Sequence, residues 1–164
     1  ALIAIEKAVK ELRGEEITEE ITPEIRFLPP AFIPETYVRD SMERLNLYRR
    51  LSLSASEEEA EGIREELIDR FGPVPEETHR LLSVIKVKIL LTKLSIRKLE
   101  QTPEQIILTF DESTRVSPQK IVTVVRQGKE DVRVTPDSRL ILRSGPEVRK
   151  DPFEATRKLL QGLI

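Results

Sequence analysis

The chain contains no cysteine and no tryptophan, and only one histidine and one methionine, in 164 residues. Without Cys there is no disulfide framework, no thiolate zinc site, no iron–sulfur cluster and no cysteine nucleophile. A single imidazole, His79, cannot build a multi-histidine metal centre, and it leaves one candidate for proton transfer near neutral pH. Two Tyr and five Phe are too few for a platform that stacks bases. The six glycines, Gly14, Gly62, Gly72, Gly128, Gly145 and Gly162, are scattered, no two of them closer than ten residues. A phosphate-cradling loop needs closely spaced glycines so that backbone N–H groups can approach the anion, and neither G-x-G-x-x-G nor G-x-x-x-x-G-K-[ST] occurs. No run approaches the ~18 consecutive apolar residues of a membrane span, and no secretory apolar segment opens the chain.

What is present is charge. Lys and Arg number 27 and Asp and Glu 29, for a formal net charge of −2. A near-neutral total argues against a dedicated nucleic-acid binder, which is usually strongly basic. The −2 is a cancellation: residues 1–82 hold 11 basic and 19 acidic side chains (net −8), and residues 83–164 hold 16 and 10 (net +6). Two readings are open: the asymmetry marks interaction faces, or the two halves pack together and neutralise each other. The length suits one domain with a real core. A start at Ala1 rather than Met is expected of a piece of a longer chain, and the lack of Cys is compatible with a cytoplasmic setting.

Leu2, Ile5, Val9 and Leu12 fall at helical spacing and Gly14 can stop that helix. The acidic run Glu15–Glu20 reads as a linker, so residues 1–22 are expected to close a preceding domain and residues 23–164 to form the domain proper. Ile25 and Phe27 alternate with Arg26 in a short strand. Pro34 at a first turn, with Glu35, predicts a helix whose apolar face is Val38, Met42, Leu45 and Tyr48. Ser56 with Glu59 forms a capping box before Ile63, Leu67 and Phe71; Gly72-Pro73 ends that helix and Pro75 opens the next. Apolar residues from Leu81 to Leu94 wrap beyond one stripe, which predicts a central buried helix. Strands follow at Ile96–Leu99 and Ile106–Phe110, then a helix from Pro118. A hairpin joins Val132–Val134 to Leu140–Leu142 through Pro136-Asp137, and a last helix opens at Asp151-Pro152. The pattern predicts an α+β domain: a helical N-terminal half packed on a small, mainly antiparallel sheet, with a closing C-terminal helix.

Candidate functional residues are few. Glu66, Asp69 and Arg70 share the outer face of the helix whose inner face carries Leu67 and Phe71. This is either a rigid charged docking patch or an i,i+4 Glu66–Arg70 pair worth a few tenths of a kcal/mol. Glu65, Glu66 and Asp69 are too close and too solvated to divide into a catalytic acid and base, and no nucleophile–base pair surrounds His79. Lys86, Lys88, Lys93, Arg97, Lys98, Arg133, Arg139 and Arg143 form either a phosphate-contacting stripe or basic side chains snorkelling over a buried helix and a polar sheet face.

Residues 33–40 (IPETYVRD) with 44–51 (RLNLYRRL), and 66–75 (ELIDRFGPVP) followed by Leu81-Leu82, resemble the C-terminal domain of bacterial transcription-repair coupling factors. The resemblance rests on Pro34, Tyr37, Arg44, Leu45, Tyr48, Leu67, Phe71, Gly72, Pro73 and Pro75. It implies a non-catalytic regulatory domain of a cytoplasmic bacterial DNA translocase. The resemblance implies that the whole protein would displace stalled RNA polymerase and recruit UvrA for nucleotide-excision repair. ATP and Mg would then serve an upstream motor, with no cofactor in this chain. The domain would dock on the N-terminal UvrB-like module of the same protein and mask its UvrA-binding surface, with Glu66, Asp69 and Arg70 as docking candidates. A contrasting reading is a nucleic-acid-contacting accessory module using the basic residues of 86–143.

Overall fold

The computed structural model describes residues 22–164. The helix read over Leu2–Arg13 and the acidic linker after it lie outside the described residues. The chain forms β1 (Glu24–Arg26), α1 (Ser41–Leu53), α2 (Glu57–Phe71), α3 (Glu76–Leu94), β2 (Ile96–Gln101), β3 (Gln105–Phe110) and α4 (Pro118–Gly128). A short 3₁₀ turn at Lys129–Asp131 leads to β4 (Val132–Thr135), β5 (Arg139–Arg143), α5 (Pro146–Lys150) and α6 (Pro152–Gln161). This is an α+β fold. The sheet order is β1-β2-β3-β5-β4; β1 pairs with β2 in parallel and every other neighbour is antiparallel.

Alternation along the strands decides which sheet face is covered. Leu99, Leu108 and Leu140 lie in register across β2, β3 and β5 and are fully buried with Ile96 and Ile106. They pack against Val87, Leu90, Leu91 and Leu94 of α3, Val124 of α4, and Leu159, Leu160 and Leu163 at the C-terminal end. The opposite face carries Glu100, Ile107, Ile141 and Arg133 in one cross-strand row and takes no helix of that cluster.

A second cluster joins α1, α2 and the first half of α3 through Leu47, Leu51, Ala60, Ile63, Leu67, Leu82, Ile85 and Ile89. α3 thus belongs to both clusters, which is why its apolar residues wrap around it. The α2 start has the expected Ser56 cap, with the hydroxyl accepting from Glu59 N–H, but the Glu59 carboxylate reaches back one residue further than a capping box requires, accepting from Ala55 N–H at 2.7 Å.

The helix expected from Pro34 is corrected. Tyr37 and Val38 N–H both donate to the Pro34 carbonyl, closing one turn that goes no further. The helix starts instead at Ser41, because the Asp40 carboxylate caps Met42 N–H at 2.9 Å. Arg44 ties the break by donating to the carbonyls of Val38 and Arg39. The face that α1 buries is Leu47 and Leu51, while Met42 and Leu45 are exposed at 69% and 52%. Tyr48 stays half-buried because its hydroxyl accepts from Ile33 N–H at 2.7 Å. The parallel β1–β2 pairing and helix α5 had no counterpart in the sequence reading.

Gly72 has φ 87° and ψ −162°, a region that is essentially glycine-only, and a Cβ placed there would meet nothing within 4 Å. The cost of Gly72→Ala is therefore backbone strain alone, about 1–3 kcal/mol. Leu91→Ala, at a fully buried position, is expected to cost about 2–5 kcal/mol. Urea denaturation of both variants measures these losses; an unchanged midpoint for Gly72→Ala would refute the strain assignment.

Candidate docking face

The face centres on the last two turns of α2. Leu67 is buried and Phe71 half-buried. The Tyr37 ring lies 5.8 Å from that of Phe71, tilted by 59°. The Tyr37 hydroxyl donates to the Leu67 carbonyl at 3.1 Å and the Gly72 carbonyl at 2.9 Å. The Gly72 carbonyl, at the C-cap, is one that a helix end leaves without an intrahelical partner. Burial pushes the Tyr37 phenol up, which keeps it a neutral donor. Pro73 is exposed and Pro75 occupies the cap position of α3 with no side-chain hydrogen bond. The motif residues around Gly72 thus hold the α2–α3 corner rigid.

On the outer side, Glu66, Asp69 and Arg70 come within one turn of each other, but their partners differ. Arg50 of α1 grips Glu66 with both guanidinium nitrogens at 2.6 and 3.0 Å, the two-pronged geometry that guanidinium and carboxylate favour. Arg70 reaches Glu66 at 3.3 Å and Glu43 of α1 at 2.5 Å. The string Arg50–Glu66–Arg70–Glu43 therefore sews α1 to α2. The hydrogen bond from Arg50 is the main cause holding the Glu66 carboxyl below the ordinary carboxylate range, and the same bond raises Arg50. Arg70 is raised chiefly by Glu43. Asp69 and Glu65 stand exposed with no ion-pair partner among the described residues, and Ile68 sits between them at 37% exposure.

The other sequence candidates are dispersed. His79 is exposed and its ring hydrogen-bonds no described residue; only its backbone is engaged, the N–H with the Pro75 carbonyl and the carbonyl with the Ser83 hydroxyl. Among the described residues no group of three or more His, Asp and Glu could hold a metal ion, and no helix is long and apolar enough to cross a membrane. Lys86 pairs with Glu61 at 2.9 Å, Lys98 with Glu100 at 3.2 Å and Arg139 with Asp137 at 3.2 Å. Lys88 leans toward the Ser52 carbonyl, while Lys93, Arg97, Arg133 and Arg143 are exposed. They do not form one stripe: Lys86, Lys88 and Lys93 lie on α3, Arg97 and Lys98 on β2, and Arg133, Arg139 and Arg143 on the hairpin.

One contact had no local signal. Arg157 of α6 holds Glu57 of α2 at 3.0 and 3.1 Å across 100 residues of sequence. With Lys86–Glu61, it shows acids of the first half meeting bases of the second, so part of the −8 and +6 asymmetry is neutralised internally.

Comparison with known proteins adds the family. The model of the TRCF domain family matches residues 29–121. A curated transcription-repair-coupling factor of Myxococcus xanthus is 31% identical over 160 residues, 97% of this chain and 13% of its own length. That of Escherichia coli is 30% identical over 157 residues, 96% of this chain and 14% of its length. The chain therefore spans about one seventh of the curated relatives it matches. A crystal structure of the C-terminal domain of a transcription-repair coupling factor superposes with a TM-score of 0.80 at 20% identity, covering 90% of this chain and 95% of the other.

The Glu57–Arg157 pair sets a pH dependence. The hydrogen bond from Arg157 is the leading cause lowering the Glu57 carboxyl, and Lys86 and Arg50 do the same for Glu61 and Glu66. A carboxyl lowered on folding stabilises the fold above its unfolded pKa, about 4.3, and that stability is lost as pH falls through the folded value. Urea midpoints should hold from about pH 7 to pH 5 and decline below about pH 4. Glu57→Gln should cost about 0.5–1 kcal/mol at neutral pH and make the acid decline shallower; an unaltered acid slope would remove Glu57 from that role.

Proposed function

The chain belongs to the TRCF domain family, the C-terminal domain of transcription-repair coupling factors, and from that premise we propose that it works as a non-catalytic, autoinhibitory docking domain within a larger DNA translocase. In this reading the domain rests against the N-terminal UvrB-like module of the same protein and covers the surface that UvrA binds. ATP and Mg act in the motor, outside this chain. Engagement of RNA polymerase and DNA favours the undocked state, so the latch works by shifting populations between two arrangements.

The observation that carries the reading is the division of labour on α2. Arg50, Arg70 and Glu43 are spent inside the domain with Glu66, whereas Glu65, Ile68 and Asp69 face outward on a helix pinned at its end by Tyr37. A basic surface on the partner module would pair with the two acids around one apolar contact. Exposed ion pairs contribute about 0.2–1 kcal/mol each, which makes such a clamp reversible. Among the sequence candidates, Asp69 therefore becomes the docking residue proper, and Glu66 and Arg70 support it. The nucleic-acid reading loses Lys86, Lys98 and Arg139, which are already engaged by carboxylates, and the exposed Lys93, Arg97, Arg133 and Arg143 left to it lie on separate elements.

The test uses the full-length parent protein. Glu65→Ala with Asp69→Ala should raise UvrA binding about fivefold or more and raise the DNA-dependent ATPase, with the melting temperature unchanged. Glu66→Ala should lower the melting temperature, because it strands Arg50. Unchanged UvrA binding and ATPase in the Glu65/Asp69 variant would overturn the proposed latch.

A further inference from the structure

β1 is the most lightly held strand of the sheet. It lies at an edge and pairs with β2, in parallel, through three positions, where every other pairing has at least four. Glu24 and Arg26 are exposed and Ile25 is half-buried, so β1 itself buries no residue fully. Its charges do little to hold it. Glu24 and Arg26 pair with each other at 2.6 Å, inside the strand. Across to β2, Arg26 reaches Glu100 only at 3.9 Å, while Lys98 holds the same carboxylate at 3.2 Å. Exposed pairs of this kind contribute little. Leu28, just beyond the strand, is 59% exposed, and its N–H donates to the Gln101 side chain at 3.2 Å. The apolar contacts are the buried Pro23, Ile25, and Phe27 against the Phe153 ring.

The hold changes at Pro29-Pro30. Arg80 donates to the Pro30 carbonyl at 2.8 Å. Phe32 N–H donates to the Glu77 carbonyl, and the Phe32 carbonyl accepts from the Thr78 hydroxyl. Ile33 is buried, and its N–H donates to the Tyr48 hydroxyl at 2.7 Å. Consecutive prolines restrict their own φ and the residue before them, so the stretch that can pivot ends at Leu28. The sheet cluster is built without β1. None of its buried members comes from that strand, and β2, β3, β5 and β4 form an antiparallel sheet by themselves.

We propose that β1 is a stowed length of tether: residues 22–28 peel from β2 as a unit and re-pair, while the helical lobe and the other four strands stay folded. Peeling moves the attachment of the preceding chain from residue 22 to Pro29-Pro30, and the freed residues reach up to about 23 Å from there. For the latch, this slack lets the domain leave its seat without unfolding. That use rests on the docking role proposed above; the peeling itself does not.

Native-state hydrogen exchange on the 164-residue chain tests the peeling. The amides that pair β1 with β2, and the Leu28 N–H, should exchange together, at least about 100-fold faster than those of β3 and α3. Their rates should respond little to low urea, because a local opening exposes little surface. Phe32 and Ile33 N–H should stay protected. Glu24→Cys with Lys98→Cys supplies a staple: the chain has no other Cys, and the two positions are register partners on neighbouring strands, a separation that a disulfide spans. Oxidation should raise β1 protection to that of β3, and reduction should reverse it. Without the staple, β1 amides as protected as those of β3, or opening only together with Phe32 and Ile33, would overturn the proposal. In the full-length parent with DNA and RNA polymerase present, the oxidised staple should lower UvrA binding about fivefold or more against its reduced form. If Glu65→Ala with Asp69→Ala alters UvrA binding and the staple does not, the tether role is refuted. If neither does, the latch falls instead, and the exchange rates alone decide the peeling.

Discussion

A helix that buries side chains on nearly every side cannot be covered by one layer, and α3 meets that constraint by belonging to two cores at once. Its early residues Leu82, Ile85 and Ile89 complete the helical cluster, and its later residues Val87, Leu90, Leu91 and Leu94 complete the cluster on the sheet. Neither cluster is closed without it. Because a helix is stiff over its length, the two lobes are coupled through one rod, and the Glu57–Arg157 pair adds a second tie between α2 and α6. The α2–α3 corner around Gly72 is therefore set by packing on both sides, and the outward face of α2 inherits that rigidity.

The elements with strong periodicity or clear stops could be read from the sequence. The wrap-around apolar pattern of α3, the Ser56 cap, the Gly72-Pro73 stop and the β4–β5 hairpin all have local causes, and each appears where those causes put it. The first helix failed because two local signals competed. Pro34 can start a helix and so can Asp40, and the Asp40 carboxylate bond to Met42 N–H, with the Arg44 tie, selected the later start. Met42 and Leu45 lie in solvent rather than in the expected core. The parallel β1–β2 register was invisible because it pairs residues more than seventy apart, Ile25 with Leu99, through only three positions.

The candidate site was half legible. Spacing along α2 placed Glu66, Asp69 and Arg70 on one outer face, but spacing cannot show what stands opposite. Arg50 and Glu43 come from another helix, and their arrival turns Glu66 and Arg70 from candidate contacts into stitching between α1 and α2. The same limit applies to the basic residues. Lys86 and Arg157 are neutralised by acids that only the fold brings near, while Arg133 and Arg143, two of the basic candidates, line one pocket with Arg149, which the sequence did not single out.

The three-residue strand β1 has a mechanical meaning. Its residues Ile25 and the following Phe27 are only partly buried against the sheet cluster, with Phe27 leaning on the Phe153 ring. Firmer attachment begins at Phe32, whose N–H and carbonyl bond to Glu77 and Thr78 of α3. Tension applied at residue 22 would thus load β1 in series ahead of both cores. With only three paired positions, β1 is the smallest attachment on that path and has the least to lose before the helical lobe and the rest of the sheet are loaded. A domain tethered this way can be tugged at its N-terminal edge without losing the surface it presents.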